Sequence, residues 1–138
     1  MLTVTIKKGV KDLVAEANKE IKTVPVNDAV AKLDDPNTIF VDLRDVRELE
    51  REGMIPGAFH APRGMIEFWV DPDSPYFKDI FGSGKTFYFY CASAWRSALA
   101  AKSVQDMGLQ NVVHIEGGFS NWKKAGGPIS QPSKSVSK

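Results

Sequence analysis

The chain has 138 residues, 43% of them hydrophobic and 25% charged, which fits one globular domain rather than a disordered or fibrous protein. A balance of 18 Lys and Arg against 17 Asp and Glu gives no reason to expect nucleic acid or a membrane surface as a partner. A single cysteine excludes intramolecular disulfides and cysteine-bound zinc clusters. The sequence has no signal-peptide pattern and no run near the ~20 apolar residues of a membrane span, which favours a cytoplasmic protein.

The first predicted element is a helix. Apolar residues recur at helical spacing in the N-terminal part of the chain, at Val10, Leu13, Val14, Ala17 and Ile21. Residues 1–20 are therefore predicted to form a helical extension ahead of the domain proper, which is expected to span residues 21–127. Asn27 is predicted to cap a short second helix that reaches Leu33.

The middle of the chain predicts a buried strand and a charged helix. Residues 38–43 are mostly apolar and β-branched at their start, which is typical of a strand buried on both faces. Residues 45–52 are charged and helical in character, and Gly53 is placed to end that helix. A loop rich in aromatic residues is expected to follow.

The second half of the chain alternates between strands and helices. A strand is predicted over residues 86–90, a helix over about 96–107, a strand over 112–115 and a helix over 120–125. This alternation predicts an α/β domain with a mostly parallel central sheet and helices on both faces. Residues 128–138 are rich in Ser and Lys and have little to bury, so they are expected to be a flexible tail.

Cys91 is the candidate nucleophile because it stands between a predicted strand and a predicted helix. In open α/β sheets, ligands bind in such loops at the carboxyl edge of the strands. Backbone N–H groups and the positive end of the helix suit an anion there, and Arg96 adds a positive charge that would hold the loop or bind an oxyanion. A buried core cysteine is the alternative that the thiol alone would favour. The position in the loop favours a reactive thiol instead.

Several segments, in order along the chain, resemble the rhodanese family. The matching segments are an Asp-x-Arg segment at residues 41–44 with Glu48, a Gly-x-Ile-Pro-Gly-Ala segment at residues 53–58, a cysteine loop at residues 91–97, and a strand, Gly-Gly turn and tryptophan at residues 113–118 and Trp122. Each segment is weak by itself, but their occurrence in this order is specific. Together they cover residues 21–127.

The resemblance implies a rhodanese-like fold, in which helices lie on both faces of a central parallel five-stranded sheet, and sulfurtransferase activity. Cys91 would take the outer sulfur of a donor such as thiosulfate as a persulfide and pass it to cyanide, a thiol or a protein acceptor, with no metal or organic cofactor. The substrate would be bound by the backbone N–H groups of Ala92, Ser93, Ala94, Trp95 and Arg96. The candidates for loop support are Asp42, Arg44 and Ser97.

The chain departs from the family pattern at three positions. Ala94 stands where relatives have glycine, so a positive φ there would cost about 1 kcal/mol. Trp95 replaces a small residue and would form a wall beside the thiol, pack in the core or face a partner. Met54 replaces the usual histidine. An ion pair between Arg44 and Glu48 is the structural alternative to a role of Arg44 in the site.

Three other functions stay open at this point. His60 and His114 allow a Cys–His protease, but neither has a recognisable third partner and both are predicted to be structural. A phosphatase or arsenate reductase of the related type uses Cys-x5-Arg, whereas four residues separate Cys91 from Arg96. The remaining alternative is a rhodanese-fold module that binds or regulates without catalysis.

Overall fold

Five parallel strands form the centre of the protein, for which a computed structural model describes residues 3–132. The strands are β1 (Lys22–Val24), β2 (Thr38–Asp42), β3 (Phe59–His60), β4 (Thr86–Tyr90) and β5 (Val112–Ile115). Their order across the sheet is β1-β5-β4-β2-β3, and every neighbouring pair is parallel. The predicted parallel five-stranded sheet is confirmed, and β4 lies at its middle.

Within residues 3–132, six α-helices connect and cover these strands. They are α1 (Val10–Glu20), α2 (Val26–Val30), α3 (Val46–Glu52), α4 (Ile66–Val70), α5 (Trp95–Met107) and α6 (Gly118–Lys124). The predicted cap of the second helix is wrong, because Pro25 holds the N-cap position of α2 and Asn27 lies inside the helix. Within residues 3–132, no helix has both the length and the apolar character needed to cross a membrane.

The sheet is buried on both faces, which explains the nearly continuous apolar run of β4. Phe87 and Phe89 point into a core shared with α1, α4 and α5, whereas Tyr88 and Tyr90 point into a second core shared with α2 and α6. Successive side chains of a strand alternate between faces, so a strand covered on both sides needs apolar residues at every position. Each large side chain buried in this way contributes about 2 kcal/mol.

The N-terminal helix belongs to the core of the domain. Val14 and Ala17 on α1 are buried in the same apolar cluster as residues of α5. Val10 and Leu13, which the helical spacing placed on the same apolar stripe, are 50% and 41% exposed. The segment expected to be an extension therefore completes one face of the sheet.

The chain after Gly127 docks on the domain for a few residues. Met54 donates its N–H to the Ser130 carbonyl at 2.8 Å, and Ser130 donates its N–H to the Met54 carbonyl at 2.9 Å. The indole N–H of Trp122 also donates to the Pro128 carbonyl at 2.7 Å. The boundary predicted for the flexible tail is thus too early, and the part of that tail at residues 133–138 lies outside the described residues.

Candidate active site

Cys91 follows the central strand β4 directly, where the chain leaves the carboxyl edge of the sheet and turns into α5. The N–H of Ser97, in the first turn of α5, donates to Cys91 Sγ at 3.4 Å. A helix supplies no internal acceptor for its first N–H groups, so the loop brings the sulfur to one such donor and to the positive helix end. Cys91 is 1% exposed, so only small reagents reach its sulfur without a movement of the loop.

Ala94 adopts the left-handed conformation that its glycine-like position requires. Its φ is 77° and its ψ is 7°, and it is the residue immediately before α5. In residues 3–132 it is the one residue other than glycine with a positive φ. An alanine in this conformation costs about 1 kcal/mol, because Cβ crowds the following carbonyl oxygen. The strain expected from the sequence is therefore present in the loop.

Arg96 is held by a carboxylate on a neighbouring helix. Its Nη1 donates to Glu48 Oε1 at 2.7 Å, and its Nη2 donates to Glu48 Oε2 at 3.0 Å. These hydrogen bonds lower the pKa of Glu48 and raise the pKa of Arg96. Glu48 is in place because α3 begins one turn earlier, where Asp45 caps the helix. The predicted alternative pair of Glu48 with Arg44 is wrong, since the partner of Glu48 is Arg96.

Asp42 and Arg44 form a buried ion pair at the carboxyl end of β2. Arg44 donates from Nη2 to Asp42 Oδ2 at 2.7 Å and to the Gly53 carbonyl at 2.7 Å. Its guanidinium lies 4.4 Å from the ring centroid of Phe119 on α6. Both residues of the pair are at most 1% exposed, so each needs the other to offset the loss of water. Neither side chain forms a hydrogen bond with the cysteine loop among the described contacts.

The N-terminus of α6 holds the start of the cysteine loop, a contact that the sequence analysis missed. Phe119 donates its N–H to the Cys91 carbonyl at 2.8 Å, and Ser120 donates to the Ala92 carbonyl at 3.1 Å. A Cβ on Gly118 would lie 2.5 Å from the Cys91 carbonyl oxygen, so only glycine fits there. The Gly-Gly pair was a signal for a turn, but not for what would approach it.

A cleft lies beside the loop. It has a volume of about 430 Å³, and Ala92, Phe119 and Ser120 form part of its wall. Its rim carries cations, contributed by Arg51, Lys123 and Lys124, together with the carboxylates of Glu48 and Glu52.

The remaining predicted site residues divide between the surface and the interior. Ser93 and Trp95 are exposed, and the 43% exposure of Trp95 excludes a core position. Ser97 is buried.

Neither histidine forms a hydrogen bond with Cys91 among residues 3–132. His60 donates from Nε2 to the Arg44 carbonyl at 2.6 Å. His114 is 1% exposed and lies 2.9 Å from the Ser97 hydroxyl through its Nδ1. Over the same described range, no three His, Cys, Asp or Glu side chains group in a way that would hold a metal ion.

Solved structures of other proteins share this fold. A Rhodopseudomonas palustris protein of unknown function, described as a possible tyrosine phosphatase, has 53% sequence identity and a TM-score of 0.91; the match covers 94% of this chain and 100% of that one. The polysulfide-sulfur transferase homodimer of Wolinella succinogenes has 25% identity and a TM-score of 0.66, with 90% of this chain and 88% of that one covered.

The sequence itself matches a known family. Residues 25–125 match the rhodanese-like domain. A sulfurtransferase of Allochromatium vinosum is 29% identical over 99 residues, which is 72% of this chain and 84% of that protein. The chain therefore belongs to the rhodanese-like domain family, whose members include sulfurtransferases.

Proposed function

We propose that this chain is a thiosulfate sulfurtransferase in which Cys91 carries the sulfur as a persulfide. The observation that carries the proposal is the hydrogen bond from the Ser97 N–H to Cys91 Sγ, at the N-terminal end of α5. A sulfur anion at that point is stabilised by an aimed donor and by the positive helix end. Similarity to sulfurtransferases supports the same chemistry.

The reaction has two displacement steps. The Cys91 thiolate attacks the outer sulfur of thiosulfate, so that an Sγ–S bond forms while the S–S bond of thiosulfate breaks and its electron pair leaves with sulfite. Cyanide, a thiolate or a cysteine of an acceptor protein then attacks the outer sulfur of the persulfide. The new bond forms to the acceptor, and the electron pair of the Sγ–S bond returns to Cys91. Neither step requires a metal or an organic cofactor.

The loop residues act through their backbone. The N–H groups of residues 92–96 bind the anionic donor and the persulfide. The Arg and Lys side chains of the cleft outnumber its carboxylates and attract a negatively charged donor. Asp42, Arg44 and Ser97 support the loop. A single thiol nucleophile also favours a reducing compartment, for which we propose the cytoplasm.

Phosphate-ester hydrolysis is the competing function, because of the similarity to a protein described as a possible tyrosine phosphatase. Two features argue against it. The Arg96 guanidinium, which would bind the phosphoryl oxygens, is paired with Glu48 through two hydrogen bonds. Cys91 is 1% exposed behind a loop with only four residues between it and Arg96, which suits one sulfur atom better than a tetrahedral phosphoryl group.

The test compares the two activities in the same preparations. Wild type and Cys91→Ser are assayed for thiocyanate formation from thiosulfate and cyanide, and for hydrolysis of an aryl phosphate. Serine is nearly isosteric with cysteine but has no thiolate, so the variant should fold and lose thiocyanate formation. Aryl phosphate hydrolysis that depends on Cys91, without thiocyanate formation, would replace the proposal by a phosphatase. If the protein shows neither activity, the remaining function is that of a binding module.

A further inference from the structure

A line of polar side chains connects α1 with the cysteine loop. It runs from the exposed Asn18 and Thr23 to the buried His114 and Ser97. The ring of His114, on β5, lies at its centre and is 1% exposed. Its Nε2 lies 3.0 Å from Asn18 Oδ1 and 3.0 Å from Thr23 Oγ1, and its Nδ1 lies 2.9 Å from Ser97 Oγ. The backbone N–H of Ser97 then reaches Cys91 Sγ. Elements α1, β1, β5 and α5 thus meet at one ring.

The neighbours of the ring determine which nitrogen carries the proton. Asn18 Oδ1 only accepts hydrogen bonds, so Nε2 of His114 donates to it. Nδ1 is then an acceptor, and the Ser97 hydroxyl donates to it. Burial among these neutral groups lowers the pKa of His114 to about 4, so the ring is uncharged at neutral pH.

We propose that His114 is a positioning residue, which anchors Ser97 so that the Ser97 backbone N–H stays directed at Cys91 Sγ. The inference rests on the proposed role of Cys91 as the sulfur carrier. With its hydroxyl proton directed to His114, Ser97 is tied to the central sheet and not only to the first turn of α5. The fixed sheet therefore sets the position of the donor that faces the sulfur.

The anchor matters most when the sulfur is charged. A donor held in place stabilises the thiolate and the persulfide without having to reorient, whereas a loosened donor loses part of that stabilisation. An apolar side chain at position 114 would leave the buried hydroxyl of Ser97 without its partner, whereas the exposed side chains of Asn18 and Thr23 would bind water instead. The first turn of α5 would then shift to give the Ser97 hydroxyl another partner.

Three substitutions of His114 separate positioning from general stability. In His114→Asn, the amide keeps an acceptor near the position of Nδ1, so Ser97 stays anchored. In His114→Gln, the amide lies near the position of Nε2, so only the contacts to Asn18 and Thr23 are kept. His114→Leu keeps neither the contact to Ser97 nor those to Asn18 and Thr23. Val113→Ala is the matched control, because it weakens the same strand from the opposite face.

The readouts are the pH profile of Cys91 alkylation by iodoacetamide and the rate of persulfide formation with thiosulfate. In His114→Leu and His114→Gln, the pH of half-maximal alkylation should rise by about half a unit to one unit, and persulfide formation should slow about three- to tenfold. His114→Asn should stay close to wild type. Val113→Ala should lower the melting temperature without moving the profile. If His114→Leu does not fold, the comparison of the Asn and Gln variants decides.

The outcomes distinguish the two proposals. Equal profiles and equal persulfide rates in wild type and in the Asn and Gln variants would overturn the positioning role and leave the sulfurtransferase intact. A profile that also shifts in Val113→Ala would overturn it, since stability alone would then explain the change. If the alkylation profile shifts in His114→Leu and His114→Gln but wild type forms no persulfide, the positioning role stands and the proposed function fails.

Discussion

Mild acid should destabilise the protein through His114. Burial lowers the pKa of His114 from 6.5 to about 4 in the folded state, and its hydrogen-bonding partners are neutral. Between these two values the unfolded chain binds a proton that the folded protein does not. Stability rises with pH wherever the unfolded state binds more protons, so it must fall as the pH decreases through this window.

The size of the effect follows from the two pKa values. Between about pH 7 and about pH 5, protonation of an unfolded histidine with the ordinary pKa, while His114 stays neutral in the fold, costs about 2 kcal/mol. For a domain of this length the loss corresponds to a decrease in melting temperature of about 6 °C. The range from about pH 7 to about pH 5 lies above the ordinary pKa range of Asp and Glu, so protonation of carboxylates adds little to this loss of stability.

The assay is thermal and urea unfolding of wild type and His114→Asn at about pH 7 and at about pH 5. The variant has no ionisable group at position 114, so its stability should fall by about 2 kcal/mol less than that of wild type. Because His60 is present in both proteins, its contribution cancels in the comparison. The same loss of stability in wild type and variant would refute the reasoning.

Three further predictions concern the loop and the docked segment. Ala94→Gly should stabilise the fold by about 1 kcal/mol, seen as a higher melting temperature, because it relieves the positive φ; an unchanged value would mean that the loop is not strained. Gly118→Ala should slow persulfide formation by about tenfold or more, because its Cβ would displace the cysteine loop. The control is Gly84→Ala, which is also at a positive φ but in open space and should keep the wild-type rate. Equal rates in the two variants would contradict this prediction. Truncation after Pro132 should leave the melting temperature unchanged. Truncation after Gly127 should lower the stability by about 2 kcal/mol, because it removes the hydrogen bonds to Met54 and Trp122. Equal melting temperatures of the two truncated proteins would show that residues 128–132 do not stabilise the domain.

The elements that the sequence predicted are those with a local cause. The apolar run of β4 and the charged α3, which Gly53 ends, each carry their signal within a few residues. By contrast, β1 has three residues and β3 has two, too few for a pattern. These two strands exist because β5 and β2 offer them backbone partners, which is a property of the assembled sheet.

The same distinction holds for the candidate site. The strand–loop–helix position of Cys91 and the positive φ of Ala94 follow from neighbouring residues and were predicted. The pairing of Glu48 with Arg96 was not, because 48 positions separate them and a charged helix offers several carboxylates. The contact between His114 and Ser97 was missed for a similar reason, since a histidine in an apolar strand indicates only burial.

The measurement that tests the central claim most directly is intact-mass analysis of the protein after brief exposure to thiosulfate. Cys91 is the only cysteine, so covalent sulfur has one address. Wild type should become heavier by one sulfur atom, and cyanide should restore the original mass and release thiocyanate, whereas Cys91→Ser should stay unchanged. A wild-type protein with a free, alkylatable thiol that gains no sulfur from thiosulfate or from a persulfide donor would contradict the account.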